Sequence, residues 1–415
     1  MVGGFEFEGL PSRYGDVMTT TDEVRPVPKQ PRLAEFDVVR ALVLVGVFTM
    51  NYIVYWRVER MRGGWRAGDV PGWLTSLFDP WSGPLSTRFA ATLSTLVGFG
   101  VAMGARPSLS TGNCEAIARH RWVLRRRGVL FILIGVMFDA VWSGEILHYV
   151  GAYLVIVSWM ITWRTSRQVI AAVCVVLITV VQRVAVFVVV DDGIVFSWWN
   201  GANERTLGRV PVGTPQGYLS SILSWGGHPV LPWLAFVIAG MVLARVLVPV
   251  GAIGVTTRSR LLTIGFGFGC IATSIAFAAI MNAVVSDRWR WVASFDPVSL
   301  RGKPYGLAMP AYVLSTIGSS VIAITVISWV AKKFAHALPT RVLARAGRMT
   351  FTLYVLHGLT PWFLTTRHIV GRGFTFYGSL GIAVGSWAVA VVVAAFYQRW
   401  RKIGPLEWLL RKIGG

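Results

Sequence analysis

The sequence predicts an all-α polytopic membrane protein with about ten transmembrane helices and with both termini in the cytoplasm. Of the 415 residues, 54% are hydrophobic and only 14% are charged, whereas soluble domains contain about 25% charged residues. The mean hydropathy is +0.59, and apolar runs of about 20 residues, each long enough to cross a bilayer, recur along the chain. These runs are continuous rather than alternating, which favours helices over the strands of a barrel.

The apolar runs define ten predicted spans. They lie at residues 36–56, 86–105, 128–142, 146–163, 169–190, 229–248, 261–283, 306–331, 350–366 and 376–398. The third and fourth spans are short and close together, so we expect them to form a hairpin. Residues 1–31 are polar and proline-containing without an apolar leader, and are expected to form a disordered cytoplasmic tail. Residues 32–398 then form the bundle, and residues 399–415 form a cytoplasmic basic tail.

The distribution of charge predicts the orientation. The formal net charge is +21, which on a soluble protein would suggest nucleic-acid binding. Here the basic residues lie in connections between apolar runs, and most of those connections fall on one side if the N-terminus is inside. This pattern predicts a multi-pass membrane protein, with the lipid bilayer and not nucleic acid as its partner.

The connections assigned to the outer side are long and rich in tryptophan, at residues 57–85, 191–228 and 284–305. An interfacial aromatic belt is the favoured interpretation, and a vestibule that faces lipid or sugar is the alternative. The tryptophans concerned are Trp56, Trp65, Trp73, Trp81, Trp198, Trp199, Trp225, Trp233, Trp289 and Trp291.

The first span contains two polar residues that are unusual in lipid. Asn51 follows Arg40 by eleven residues, so the two lie about 16 Å apart along one helix and on nearly the same face. Polar groups at such positions are costly in a bilayer and suggest a site.

A second set of polar residues is expected in the outer half of the bundle. Glu145 and His148 have i, i+3 spacing, which lets a carboxylate orient an imidazole as a general base. A hairpin-stapling ion pair is the structural alternative. Asp139 lies in the third span, Arg183 lies in the fifth, and Arg88 begins the second, so these charges are candidates for the same site.

The remaining motifs are weaker. His228 and His357 lie in spans, where a lone histidine is more often a hydrogen-bonded core residue than a catalyst. The cluster Arg125, Arg126 and Arg127 is explained by topology alone, with a phosphate clamp as the alternative. The three cysteines show no metal or disulfide spacing, and no Walker loop, GxSxG elbow or HExxH motif is present. No metal is therefore expected.

An ordered set of short motifs resembles a known family. The motifs are Glu35-Phe-Asp-Val-Val-Arg40, Arg88-Phe, Thr95-Leu-Val-Gly-Phe-Gly100, Arg126-Arg-Gly, Gly144-Glu-Ile-Leu, Pro229-Val-Leu-Pro-Trp, Gly347-Arg-Met-Thr, Leu353-Tyr-Val-Leu-His357 and Gly404-Pro-Leu-Glu-Trp-Leu-Leu-Arg411. In order and spacing they resemble the YeiB-like family of bacterial inner-membrane proteins. That family is similar to the transmembrane acyltransferase superfamily, which includes the acyltransferase-3 and heparan-glucosaminide acetyltransferase families.

The resemblance implies an acyltransferase that moves an acetyl or other small acyl group from cytoplasmic acyl-CoA. The acceptor would be an extracytoplasmic glycan, glycolipid or lipid, and an oligomer is left open. Arg40, with the cluster at Arg125–Arg127, would hold the CoA phosphates. Asn51 matches a position where the acyltransferase-3 pattern has His and the acetyltransferase branch has Asn. It would position the acyl carbonyl or stabilise its oxyanion.

The base must be a residue other than Asn51, because Asn51 cannot accept a proton, and residues 52–119 contain no histidine. His148, oriented by Glu145, is the candidate, while Arg88 and Arg183 would fix the site electrostatically. The YeiB-like pattern often has His at the position of Asp139 and Asp at the position of Glu145. A transporter or flippase of an envelope lipid or small molecule is the alternative function, although no internal repeat is visible. A non-catalytic scaffold is the third.

Overall fold

The computed structural model describes residues 33–61, 70–80, 83–142, 144–190, 215–248, 254–284, 309–366 and 375–415. In these ranges all regular structure is helical, with a π-helical turn at Ser221–Trp225. The α-helices in chain order are α1 Ala34–Met61, α2 Gly72–Leu77, α3 Arg88–Ser110, α4 Cys114–Asp139, α5 Leu147–Met160, α6 Thr165–Val190, α7 Pro215–Ser220, α8 Val230–Leu247, α9 Thr257–Val284, α10 Met309–Lys333, α11 Leu338–Gly347, α12 Thr350–Thr366, α13 Phe376–Tyr397 and α14 Pro405–Gly414.

Each of the ten predicted spans coincides with a helix, and seven of these helices are long and apolar enough to cross a membrane: α1, α3, α6, α8, α9, α10 and α13. The other three are α4, α5 and α12. Helix α4 is basic in its first half, while α5 has 14 residues and α12 has 17, fewer than the about 20 needed to span the hydrocarbon core. The apolar helices indicate a multi-pass membrane protein.

The spanning helices divide into a core and a periphery. In the most apolar stretch of α8, 72% of residues are buried, and α1 and α3 are similar. In α6 only 17% are buried, and α9 and α13 also present large apolar side chains such as Phe266 and Val389 outward. A helix that is apolar all round and half exposed suits lipid, so these three form the bilayer-facing surface.

Glycines allow the helices to approach closely at three crossings. Gly98 and Gly240 lie where α3 crosses α8, and a Cβ at either would collide with the backbone of the other helix. A Cβ at Gly128 would lie 2.7 Å from the carbonyl oxygen of Gly151, which brings α4 and α5 together as the predicted hairpin. Gly318 is similarly close to α9. Small residues at helix contacts are typical of membrane bundles, because van der Waals packing drives their association.

Two ends of the bundle are distinguished by their chemistry. The hairpin end contains the α4–α5 turn at residues 140–146. The basic end contains the starts of α1 and α4 and the ends of α3, α5 and α8, where arginines bind helix-terminal carbonyls. Arg245 donates to the carbonyl of Ile161 at 3.2 Å, and Arg106 donates to that of Ala244 at 2.8 Å. Such contacts satisfy carbonyls that lack a hydrogen-bond partner within the helix. The positive charge also interacts favourably with the negative end of the helix dipole.

The predicted basic tail, residues 399–415, contains a helix. Glu407 of α14 accepts hydrogen bonds from the backbone N–H groups of Phe351 and Thr352, at 2.8 and 3.1 Å, and so caps the start of α12. The predicted tail at 1–31 and several outer tryptophans, Trp65, Trp81, Trp198, Trp199, Trp289 and Trp291, lie outside the described residues, as does the side chain of Trp225. Of the others, Trp56 and Trp233 are buried in the bundle and Trp73 is exposed.

Candidate functional site

The turn between α4 and α5 places Glu145 and His148 in the interior. Glu145 accepts the N–H of Leu147 at 2.5 Å and so caps the first turn of α5. The backbone N–H of Ile146 donates to the Tyr354 hydroxyl at 2.9 Å, which ties the turn to α12. Gly135 lies against the backbone of His148, where a side chain would collide. The hydrogen bond of Glu145 to Leu147, the Tyr354 hydrogen bond and the close contact at Gly135 therefore fix the positions of Glu145 and His148.

Glu145 and His148 form a buried carboxylate–imidazole pair, as their spacing predicts. Their exposed fractions are 2% and 3%. The Nδ1–H of His148 donates to Oε1 of Glu145, because a carboxylate can only accept. In the neutral ring Nε2 then has the lone pair, and this buried atom has no hydrogen-bond partner among the described residues. A buried, unsatisfied acceptor on a carboxylate-oriented imidazole is the arrangement of a general base.

Residues 215–228 cover this pair and bind the other predicted charges. Tyr149, whose ring centroid is 3.8 Å from that of His148, shares a hydrogen bond with Ser221 at 2.9 Å. Arg183 donates to the carbonyl of Ser224 at 2.7 Å, and Asp139 accepts from the Tyr218 hydroxyl at 3.2 Å.

The pKa of Tyr218 responds to this environment. Burial raises it above its ordinary value, and the nearby charge of Asp139 raises it further. Asp139, Arg183 and the Glu145–His148 pair therefore border one region.

Asn51 has a partner that the sequence reasoning did not assign. Its Nδ2 lies 3.0 Å from Nε2 of His357, which is 2% exposed. The Nδ1–H of His357 donates to the carbonyl of Tyr354, so Nε2 of the neutral ring is the acceptor and the Asn51 amide is the donor. The sequence showed Asn51 in one apolar run and His357 in another, without any local spacing to connect them.

Aromatic residues connect the two histidine pairs. The ring of Trp142 packs edge-on against His357, with centroids 4.9 Å apart, and Tyr354 contacts the same ring while its hydroxyl binds the α4–α5 turn. Phe48 also stacks on His357, with ring centroids 4.4 Å apart. The hairpin end therefore contains a polar centre that is surrounded by aromatic side chains.

Arg88, at the start of α3, contacts α10. Its guanidinium donates to the hydroxyls of Thr316 and Ser315, the latter at 3.0 Å, and its Cζ is 5.9 Å from the ring centroid of Tyr312. The contacts connect Asn51 to the turn that contains Glu145 through His357 and Tyr354. Asp139 and Arg183 contact residues 215–228, and Arg88 binds hydroxyls of α10.

The predicted CoA-binding arginines lie at the basic end. Arg40 forms an ion pair with Asp37 at 2.6 Å. Arg125 donates to the Ser158 hydroxyl at 3.1 Å and lies over the ring of Trp159. Arg126 and Arg127 donate to carbonyls near the end of α14, each at 2.5 Å. Within the described ranges, no group of three or more His, Cys, Asp or Glu residues is placed to hold a metal ion.

Comparison with known proteins shows that part of the chain is similar to a known family. Residues 257–414, which include α9 to α14 and therefore His357 and the Glu407 cap, match the family described as "Protein of unknown function (DUF418)". No curated protein and no solved structure matches the chain. The matched region contains the last motifs of the resemblance, Gly347-Arg-Met-Thr through Arg411. Residues 257–414 are therefore similar to the DUF418 or YeiB-like family, whose function is unknown.

Proposed function

We propose that the protein is a membrane acyltransferase that moves a small acyl group, such as acetyl, from cytoplasmic acyl-CoA to an extracytoplasmic acceptor. The acceptor would be a hydroxyl or amine of an envelope glycan, glycolipid or lipid. The enzyme would act in the bacterial cytoplasmic membrane, with both of its termini in the cytoplasm. The observation on which the proposal rests is the buried Glu145–His148 pair with its unpartnered Nε2.

The proposed step uses this pair as the base. The acceptor oxygen or nitrogen attacks the thioester carbonyl carbon while its proton moves to Nε2 of His148. The C–S bond then breaks, and the proton passes from His148 to the CoA thiolate. Glu145 holds the Nδ1–H and stabilises the imidazolium that forms between the two transfers.

Asn51 is assigned to the acyl carbonyl. One of its amide N–H groups donates to His357, and the second is available by its chemistry to donate to the carbonyl oxygen as negative charge develops. A hydrogen-bond donor held at such a position contributes about 2.7–4 kcal/mol in well-studied acyl-transfer enzymes. His357 acts as a positioning residue because it fixes the direction of the amide.

The donor would be held at the basic end. Each guanidinium of Arg125, Arg126 and Arg127 presents five N–H donors in a fork that matches phosphate. The contacts of Arg126 and Arg127 with α14 each use one Nη2. The remaining donors are those proposed to meet the CoA phosphates, together with Arg40.

Acyl transfer is favoured over a proton-coupled transporter or flippase by one feature of the interior. A proton pathway needs groups that both accept and release protons. The Nδ1–H of His357 ends at the carbonyl oxygen of Tyr354, and a carbonyl accepts a hydrogen bond but cannot pass a proton on. The Asn51–His357 pair is therefore better suited to holding a substrate than to relaying protons.

The experiment is a turnover assay with protein reconstituted in lipid nanodiscs. The assay supplies labelled acetyl-CoA and an envelope lipid and glycan extract as acceptors. His148→Ala is expected to lower the rate about 10²- to 10⁴-fold, the usual contribution of a general base, while His336→Ala, an exposed histidine, leaves it unchanged. Equal rates for His148→Ala and wild type would exclude His148 as the base. Substrate accumulation in vesicles without label transfer would support the flippase instead.

A further inference from the structure

Arg88 is a buried cation whose partners are neutral. It is 8% exposed, and both Ser315 and Thr316, which accept its hydrogen bonds, are fully buried. No carboxylate of the described residues lies within ion-pair distance of its guanidinium. A guanidinium is always charged in proteins, and burial of an uncompensated ion costs several kcal/mol. Hydroxyl dipoles compensate for only part of that cost.

The surrounding groups add donors and positive potential. Arg88 is the first residue of α3, a helix of 23 residues, so the positive end of the helix dipole lies at this position. Thr87 precedes it in the left-handed region, with φ of 62°, and no described side chain caps the helix. The Thr87 hydroxyl instead bonds the Tyr312 hydroxyl at 2.6 Å. The residue that would normally cap the first turn is therefore used elsewhere.

We infer that the Arg88 position is a binding site for a phosphate-type oxyanion. The Arg88 guanidinium has five N–H donors. Two of them bind Ser315 and Thr316, so the others remain for a ligand. A guanidinium beside an uncapped helix start and several hydroxyls is the chemistry that recognises phosphate. The ligand is either free inorganic phosphate or the phosphodiester of a lipid headgroup. The inference does not depend on acyl transfer, because the proposed transfer step assigns no role to Arg88.

The test measures the thermal unfolding of detergent-purified, full-length protein during titration with inorganic phosphate, against chloride at matched ionic strength. Phosphate is expected to raise the Tm of the wild type but not that of Arg88→Met. Arg88→Lys keeps the charge and loses the fork, so about tenfold more phosphate should be needed, the equivalent of one lost charge-assisted hydrogen bond. Arg119→Met, which removes an exposed arginine paired with Glu115, should respond as the wild type does.

A second arm distinguishes the lipid source. Phosphatidylglycerol bound to the wild type, Arg88→Met and Arg119→Met is counted by native mass spectrometry. Loss of one bound lipid in Arg88→Met alone assigns the site to a headgroup, while a phosphate response without that loss assigns it to the free anion. A wild type that responds to neither probe, or an Arg88→Met variant that responds fully, would overturn the inference. If Arg88→Met does not fold, the wild type and Arg88→Lys decide the question.

Discussion

At the scale of single residues, the contact between Asn51 and His357 gives a direct prediction about stability. Replacement of Asn51 by Leu leaves Nε2 of His357 buried without its donor, whereas the double variant Asn51→Leu/His357→Phe removes both groups. We expect a coupling energy of about 0.6–1.7 kcal/mol, the range found for hydrogen bonds between membrane helices. A double-mutant cycle of unfolding free energies in detergent measures it.

The control for this cycle pairs Asn51→Leu with Ser158→Ala. Ser158 lies on α5 at the basic end, where it binds Arg125, so the two changes share no partner and should be additive. A coupling energy near zero for Asn51 and His357 would show that the hydrogen bond does not stabilise the fold and would weaken the positioning role of His357.

These residues also show where sequence reasoning succeeds and where it stops. The Glu145–His148 pair was predicted because both partners lie within one helical turn, and local spacing is visible in a sequence. Asn51 and His357 are 306 positions apart, and neither belongs to a local pattern. Arg88 was assigned to the wider polar cluster because it begins a span. Its hydroxyl partners on α10, Ser315 and Thr316, have no periodic signature in the sequence.

At the scale of elements, α14 links the two helices that border the candidate site. Arg126 and Arg127 of α4 hold the carbonyls of Ile413 and Gly415, while Glu407 caps the start of α12. The sequence indicated only a basic tail here, because an amphipathic helix of ten residues is too short to give a strong periodic signal. The contacts explain why the motif ending at Arg411 contains a glutamate.

The Glu407 cap can be tested by substitution. Its Oε2 also accepts the Thr352 hydroxyl at 2.6 Å, so Glu407→Ala leaves two N–H groups and a hydroxyl unsatisfied. Loss of a capping side chain costs about 0.5–2 kcal/mol of unfolding free energy. We therefore expect thermal unfolding of Glu407→Ala to show a Tm lowered by the amount that corresponds to this loss. Glu115→Ala removes an exposed glutamate from an exposed ion pair and should change the Tm little. Equal effects of the two substitutions would contradict the capping role.

At the scale of the whole molecule, hydropathy predicted the order of the helices because long apolar runs have few alternatives to a spanning helix. The sequence does not predict how these helices pack against one another. The crossing of α3 and α8 at Gly98 and Gly240 depends on which glycines face each other, and glycine is common throughout the chain. Sidedness stays a prediction, based on the positive-inside distribution of charge.

The orientation decides whether the proposed reaction is feasible, because acyl-CoA in the cytoplasm can reach Arg40 and Arg125–Arg127 only if the basic end faces inward. Cys114 begins α4 at that end and is exposed, whereas Cys174 lies on the lipid-facing surface of α6 and Cys270 is buried. A membrane-impermeant maleimide reacts with thiols in water and not with thiols in the hydrocarbon core. Labelling should therefore report Cys114 alone.

We expect the maleimide to label the protein in inverted membrane vesicles and not in intact cells. Cys114→Ser should abolish the signal, and Cys174→Ser should leave it unchanged. Labelling in intact cells that Cys114→Ser removes would mean that the basic end faces outward. The arginines at that end would then be out of reach of cytoplasmic CoA, and the Glu145–His148 pair would face the side from which no extracytoplasmic acceptor can enter. Such a result would exclude the proposed donor and acceptor together, while the Arg88 site would be unaffected because its test does not depend on sidedness.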